Sequence, residues 1–483
     1  MSAVGEEPAA QEAGRVRQVA GSGGLQRSLS HRQMTMIGLG GAIGTGLFLA
    51  SNSAIASAGP AVIICYIVGA LVAMAVAWSL AEMSVVHPTR GSFGALAQEY
   101  LGASWGFVTR WVYWVAQVVA IGGEAVAAGN YIQYWWPSIP VWVSAAVFSI
   151  IMLATNAMAV KLFGEMEFWF ASIKITAIVV FLLLGLCLIF FGLPGGHHST
   201  GLTNLTSHGG FFATGLEGMW AAMLTVIFSF VGVEVIAVAG PEASNPEKSI
   251  PRAIRAMVLR LTLFYVLAMF IIVTIMPWTK NTTAGGLLES PFVRVFHTIG
   301  IGPAAGIMNF VVLTAALSSM NANLFLTTRM AHSLAHDGLA PRIFGKVTRN
   351  GAPAAALSIS ALGLGISVWL SIDSPAHAYM WLLGISISGA LFCWAVMLAT
   401  VIAFRRRRDR LGLPASLVRV PGMPWVPAIT ILAIIGIFAS AFKEGLAIAW
   451  ETGPPFVIVM FVIYWVAKAR GKLPDPVALP GAR

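Results

Sequence analysis

Apolar residues in this chain fall in long blocks, separated by short polar or Gly/Pro-rich stretches. A helix that crosses a membrane needs about 20 such residues. Twelve blocks are candidates: 35–57, 61–85, 105–133, 140–160, 168–193, 219–240, 257–277, 302–328, 354–371, 378–403, 424–442 and 454–468. The last is short and reaches across only with its flanks. The pattern predicts an all-α polytopic membrane protein with twelve transmembrane helices. Residues 1–34 are polar and lack the apolar core of a signal peptide, so they read as a disordered cytoplasmic tail. Residues 35–403 hold the first ten spans, 404–468 the last two, and 469–483 form a second cytoplasmic tail.

Two of the blocks are interrupted. The first contains "GLGGAIGTGLFLAS" (38–51), with glycine at five of its first nine positions. Glycine costs a helix about 1 kcal/mol relative to alanine. Inside a bilayer an unpaired backbone N–H or C=O costs several kcal/mol more. The sixth block carries "FSFVGVEVIAVAGPEASNPEKSIP" (228–251), with Gly232 inside the span and Gly240-Pro241 at its end. One reading of the first stretch is close helix packing through a small-xxx-small pattern, of which Gly40 and Gly44 are one. The other is a break that lines a cavity. Two broken helices standing five apart are the mark of an inverted-repeat transporter. Freed N–H groups at a half-helix N-terminus bind an anion, and freed carbonyls bind a cation. A site with both suits a zwitterion, which points to an α-amino acid.

Composition agrees with a membrane protein: 58% of residues are hydrophobic, 10% are charged and the mean hydropathy is +0.81. The net charge of +10 would suggest nucleic acid in a soluble chain. Here its distribution explains it without a nucleic-acid partner. With the N-terminus cytoplasmic, 25 of the 29 lysines and arginines fall on that side. Lys280, Arg294 and Lys443 fall on the other, and Lys174 lies within a span. This is the positive-inside bias, and it places both termini in the cytoplasm. The run Arg405–Arg408 reads as a stop signal after the tenth span, with a lipid-headgroup contact as the alternative. Cys65, Cys187 and Cys393 are far apart, so neither a disulfide framework nor a metal cluster is expected. His197, His198 and His208 read as solvated loop residues.

Ionisable residues interrupt three spans: Glu124 in the third, Lys174 in the fifth and Glu234 in the sixth. Charges at that depth usually face a cavity or a partner. Lys174 lies about six residues into its predicted span, so its stem has the option of reaching the interface. Glu124 is near the centre of its span and does not. A paired structural carboxylate is the plain alternative for Glu124, and a hydrogen-bonded one for Glu234. Together the three favour a polar pathway, and Glu and Lys are side chains that titrate when buried, as proton coupling requires.

At these residues the chain resembles the amino acid–polyamine–organocation superfamily, and within it the amino acid transporter family of bacterial permeases. The matching stretches are "IGLGGAIGTGLFLAS" (37–51), "KLFGEMEFWFASIKI" (161–175), "FSFVGVEVIAVAGPEASNPEKSIPRAI" (228–254) and "VVLTAALSSMNANLF…SLAHDGLAP" (311–341). The resemblance runs from about Leu25 to Ala467. It implies a LeuT-type five-plus-five inverted repeat followed by two extra helices. It also implies proton-driven amino acid uptake across a bacterial cell membrane, with no cofactor.

Residue roles follow from the resemblance position by position. The N–H groups of Thr45 and Gly46 are expected to hold the substrate carboxylate, with Gly44 giving room. The carbonyls of Ala42, Phe228 and Val231 are expected to hold the ammonium, with Phe228 as an aromatic lid. Lys174 matches a lysine whose ammonium replaces the sodium ion of sodium-coupled relatives. It is expected to reach carbonyls near Gly41 and the hydroxyl of Ser318 or Ser319. Glu234 matches an acidic residue below the site, and Glu124 resembles an acidic position in the aromatic amino acid permeases. Gly123, Asn323 and Ser386 are candidates for the side-chain pocket.

A neutral substrate, aromatic or aliphatic, is the expectation. An exchanger of amino acids or amines and a cationic amino acid permease remain alternatives, since Glu124 is able to pair with a cationic side chain. Outside that class stand an ion channel, for which no selectivity filter is legible, and a membrane enzyme, for which no nucleophile–base or metal constellation is legible. The oligomeric state is left open, with a monomer sufficient for this architecture.

Overall fold

The computed structural model describes residues 36, 43–87, 89, 91–157, 160–192, 198–235, 246–282, 290–300, 302–347, 353–375, 377–416, 418–442 and 446–474. Among them the regular elements are helical. In chain order they are α1 (Ser51–Ala58), α2 (Val62–Val86), α3 (Ser92–Tyr100), α4 (Ala103–Gln133), α5 (Val141–Asn156), α6 (Val160–Phe190) and α7 (Gly215–Phe228). There follow α8 (Pro246–Ile275), α9 (Pro291–Thr298), α10 (Gly302–His336), α11 (Ala354–Asp373), α12 (Ala378–Arg410), α13 (Trp425–Ala439) and α14 (Ile448–Ala469). Among the described residues, eight helical segments are long and apolar enough to cross a bilayer. The architecture is that of a polytopic membrane protein.

The depth of each helix in the bundle follows from its sequence. The apolar window of α4 is 83% buried and that of α14 only 6%. α4 is therefore the central post and α14 a peripheral, lipid-facing helix. α4 owes this to small residues along its length, which let α10, α11 and α12 approach it. α14 is apolar all round except at its ends, as a helix in lipid requires. α2 packs against α8 and α7, and α1 lies against α7.

Several bounds differ from those read off the hydropathy. α6 begins at Val160 rather than 168, so Lys174 lies two turns deeper than expected and is 0% exposed. It does not reach the interface. α12 continues to Arg410 and carries the arginine run on helix: Arg405 pairs with Glu82 of α2, and Arg407 with Glu99 of α3 at 3.0 Å. These two arginines of the run thus make protein contacts. α14 starts at Ile448, before Pro454 and Pro455. Arg110 is 0% exposed on α4, where it pairs with Asp337 and donates to Gln98 Oε1 at 3.0 Å. The N-terminal tail and residues 475–483 lie outside the described residues.

Candidate functional site

The first described helical turn, at Gly46, meets the end of α7. After Ile43 and Gly44 the chain enters a wide turn, Gly46–Ala50, in which Ser51 N–H donates to Gly46 O five residues back. Helix α1 follows directly. The first N–H groups of such a segment have no carbonyl partner within the helix. On the other side α7 ends at Phe228, and the chain unwinds through single turns: Phe230 N–H to Ile227 O at 2.9 Å, and Val231 N–H to Phe228 O at 3.2 Å. Gly232 takes φ +109°, which an L side chain rarely adopts. A Cβ on Gly46 would stand 2.7 Å from Ser229 Cα and 3.0 Å from Phe228 O. The absence of a side chain at Gly46 is what lets one break lie against the other.

α4 supplies the wall opposite. Gln117, Ala120 and Glu124 lie on one face of it and line a cavity with Gly44, Gly46, Phe228, Ser229, Val231, Gly232, Ser319 and Asn323. An adjoining cavity is lined by Thr45, Gly123, Phe228, Tyr379, Leu382 and Leu383, besides Ala120 and Glu124. The structure thus gathers seven of the nine expected pocket residues and Glu124 around one place. Ser386 is 2% exposed on α12, one turn beyond Leu382 and Leu383; the residues that α12 presents to the adjoining cavity are Tyr379, Leu382 and Leu383. Ala42 and Gly41 lie outside the described residues.

Each buried charge has partners from other elements. Glu124 accepts from Ser319 Oγ at 2.8 Å and lines the adjoining cavity together with Thr45. Lys174 Nζ donates to Ile43 O at 2.9 Å and to Ser318 Oγ at 2.9 Å. Its ammonium therefore sits on a carbonyl next to the first break, that of Ile43, two residues from Gly41. Glu234 is 0% exposed and stands apart from Lys174. It accepts from Tyr113 Oη at 3.4 Å, Gln117 Nε2 at 3.5 Å, Trp394 Nε1 at 3.3 Å and Gly232 N at 3.2 Å. It ties the unwound end of α7 to α4 and α12.

One charged residue of this network was not singled out from the sequence. Glu167 is 0% exposed on α6. It accepts from Ser318 Oγ at 2.5 Å and from Asn321 Nδ2 at 3.3 Å. The available signal was its spacing. It precedes Lys174 by seven residues, which is two helical turns and the same face.

A family model described as amino acid permease matches residues 33–475 of the chain. The chain is 39% identical over 417 residues to the γ-aminobutyric acid permease of Bacillus subtilis (strain 168), covering 86% of this chain and 88% of the relative. It is 38% identical over 452 residues to the aromatic amino acid transport protein AroP of Escherichia coli (strain K12), covering 93% and 97%. It is 36% identical over 443 residues to the probable threonine/serine transporter YbxG of Bacillus subtilis, covering 92% and 95%.

Proposed function

Since the chain belongs to the amino acid permease family, whose named members here are transporters and not enzymes, we propose that it is a proton-coupled importer of neutral α-amino acids working by alternating access. The observation that carries this reading is the contact of the two breaks, with Lys174 on the Ile43 carbonyl beside them. Broken helices at mid-depth serve a bound solute, because their freed N–H and C=O groups need a partner. A substrate carboxylate would use the N–H groups of Thr45 and Gly46, which line the cavities. Phe228 and Val231 carbonyls, each with a spare lone pair, would take the ammonium.

The substrate class follows from the lining. Phe228, Val231, Tyr379, Leu382 and Leu383 are apolar or aromatic, and Glu124 is the charged member. Aromatic amino acids, γ-aminobutyric acid, threonine and serine, which name the relatives, are all zwitterions without a charged side chain. Both arguments favour a neutral substrate.

The topology follows by adding the described helices. The segment Gly46–Val86 is one of the eight apolar candidates, but it turns at Gly59-Pro60 and counts as two crossings. The shorter apolar helices Val141–Asn156, Gly215–Phe228 and Leu261–Ile275 supply three more. That totals twelve and supports ten core helices in a five-plus-five inverted repeat with two added, both termini cytoplasmic, in a bacterial plasma membrane.

Coupling rests on Lys174. Its ammonium links the first break to α10, so its protonation biases which state of the bundle is favoured, and substrate and proton share that bias. A fixed ammonium there also argues against sodium as the coupling ion. The test is uptake by the purified protein in liposomes, with an imposed pH gradient, no sodium and each common amino acid in turn. Uptake of neutral amino acids that collapses with the gradient is expected. Uptake that follows sodium, or only exchange without dependence on the gradient, would overturn the proton-symport reading.

A further inference from the structure

Ser318 stands between a buried ammonium and a buried carboxylate. Its Oγ accepts from Lys174 Nζ at 2.9 Å and donates to Glu167 Oε1 at 2.5 Å. Both charges and the hydroxyl are 0% exposed. Both distances lie within the reach that proton transfer requires. The far oxygen of Glu167 accepts from Asn321 Nδ2 at 3.3 Å, and Asn321 Oδ1 accepts from Asn156 Nδ2 at 2.7 Å. Those two amides hold the carboxylate in place and carry no charge. The groups facing Glu167 are therefore Lys174 and Ser318 on the cavity side, and Asn321 and Asn156 on the other. The neighbouring serine, Ser319, serves Glu124 instead. Adjacent hydroxyls on α10 thus keep the cavity carboxylate and Glu167 on separate hydrogen bonds.

The position of Glu167 gives the arrangement a direction. It lies two turns from Lys174, about 10 Å along the axis, toward the Val160 end of α6. That end is cytoplasmic in the proposed topology. A carboxylate at this depth with no cavity lining of its own is an expensive element to retain for packing alone.

We propose that Glu167 is the residue that receives the coupling proton from Lys174, through Ser318, on its way to the cytoplasm. This rests on the proton-symport reading of the same site. In the step, Lys174 gives one ammonium proton to Ser318 Oγ while Ser318 gives its hydroxyl proton to Glu167 Oε1. One N–H and one O–H bond break, and two O–H bonds form. The ammonium becomes an amine, the carboxylate becomes a carboxylic acid, and Ser318 is unchanged. The Lys174 amine then holds Ile43 O less strongly, which loosens the first break from α6 and α10.

The experiment compares wild type with Glu167→Gln, which keeps the hydrogen-bonding shape but accepts no proton. Two readouts use the same proteoliposomes and the neutral amino acid that wild type transports best. One is accumulation driven by a pH gradient. The other is counterflow at equal pH, which needs substrate binding and the conformational change but no net proton release. For Glu167→Gln, accumulation is expected to fall at least tenfold while counterflow stays within about twofold of wild type. Glu167→Asp, which restores an ionisable group, is expected to recover part of the accumulation. Accumulation by Glu167→Gln equal to wild type overturns the proposal and leaves proton symport standing. Loss of counterflow in both variants also overturns it, because Glu167 would then be a structural residue. Absence of gradient-driven uptake in wild type itself would remove the symport reading, and this proposal with it.

Discussion

Gly46 is the residue on which the site's geometry turns. The atoms a Cβ would meet there are backbone, Ser229 Cα and Phe228 O, and backbone does not swing aside as a side-chain end does. Gly46→Ala is therefore expected to push the two breaks apart and lower uptake at least tenfold, with the protein still folded. Uptake within twofold of wild type would contradict that. Glu124 poses a different problem. It lines the same cavity as Thr45, where the substrate carboxylate is proposed to sit, and two anions in one cavity repel unless one takes up a proton. Glu124→Gln is expected to bind and exchange substrate with less dependence on external pH, measured as counterflow across a pH series. An unchanged pH profile would remove Glu124 from coupling. At this scale the sequence was informative wherever a charge interrupted an apolar run, as at Glu124, Lys174 and Glu234. It was silent on Glu167, because Glu165 and Glu167 shorten the apolar run and read as the loop before a span.

Among the elements, the two interruptions were legible for a physical reason: clustered glycine, or glycine followed by proline, weakens a helix. Helix ends were less legible. Apolar runs end where polar residues begin, but α6 continues through the buried Glu167, and α12 through Arg405 and Arg407, which pair with carboxylates of other helices. Arg110 shows the cost of that rule. Its cation on α4 is 0% exposed beside Asp337, just past the end of α10, and this pair clasps two central helices at one end. Asp337→Ala would leave the guanidinium without that counter-charge. A loss on the order of 2 kcal/mol is expected, less than for a fully buried pair because Asp337 is 37% exposed. It would register as a lower unfolding temperature in detergent, and an unchanged temperature would contradict the clasp. Helical spacing puts Ser386 on the same face as Leu382, but spacing alone does not say where along that face the cavity stops.

For the whole molecule, the charge bias of the loops gives the orientation, and a C-terminal green fluorescent protein fusion should fluoresce in the cytoplasm. Dark fusions with intact transport would reverse the topology. The bundle is built so that α4, buried over most of its length, stands across from two helices whose breaks touch, while Lys174 and Glu234 hold those breaks to the rest. In the proposed mechanism such a body has two arrangements of its broken helices to choose between, and proton and amino acid act on the same choice. The most direct test measures protons rather than substrate. Proteoliposomes carrying a pH dye inside, with equal pH on both sides and no sodium, would receive a neutral amino acid outside. Acidification of the interior in wild type, and none with Lys174→Ala, is the predicted result. Amino acid entry with no change of internal pH would contradict proton coupling at the broken helices.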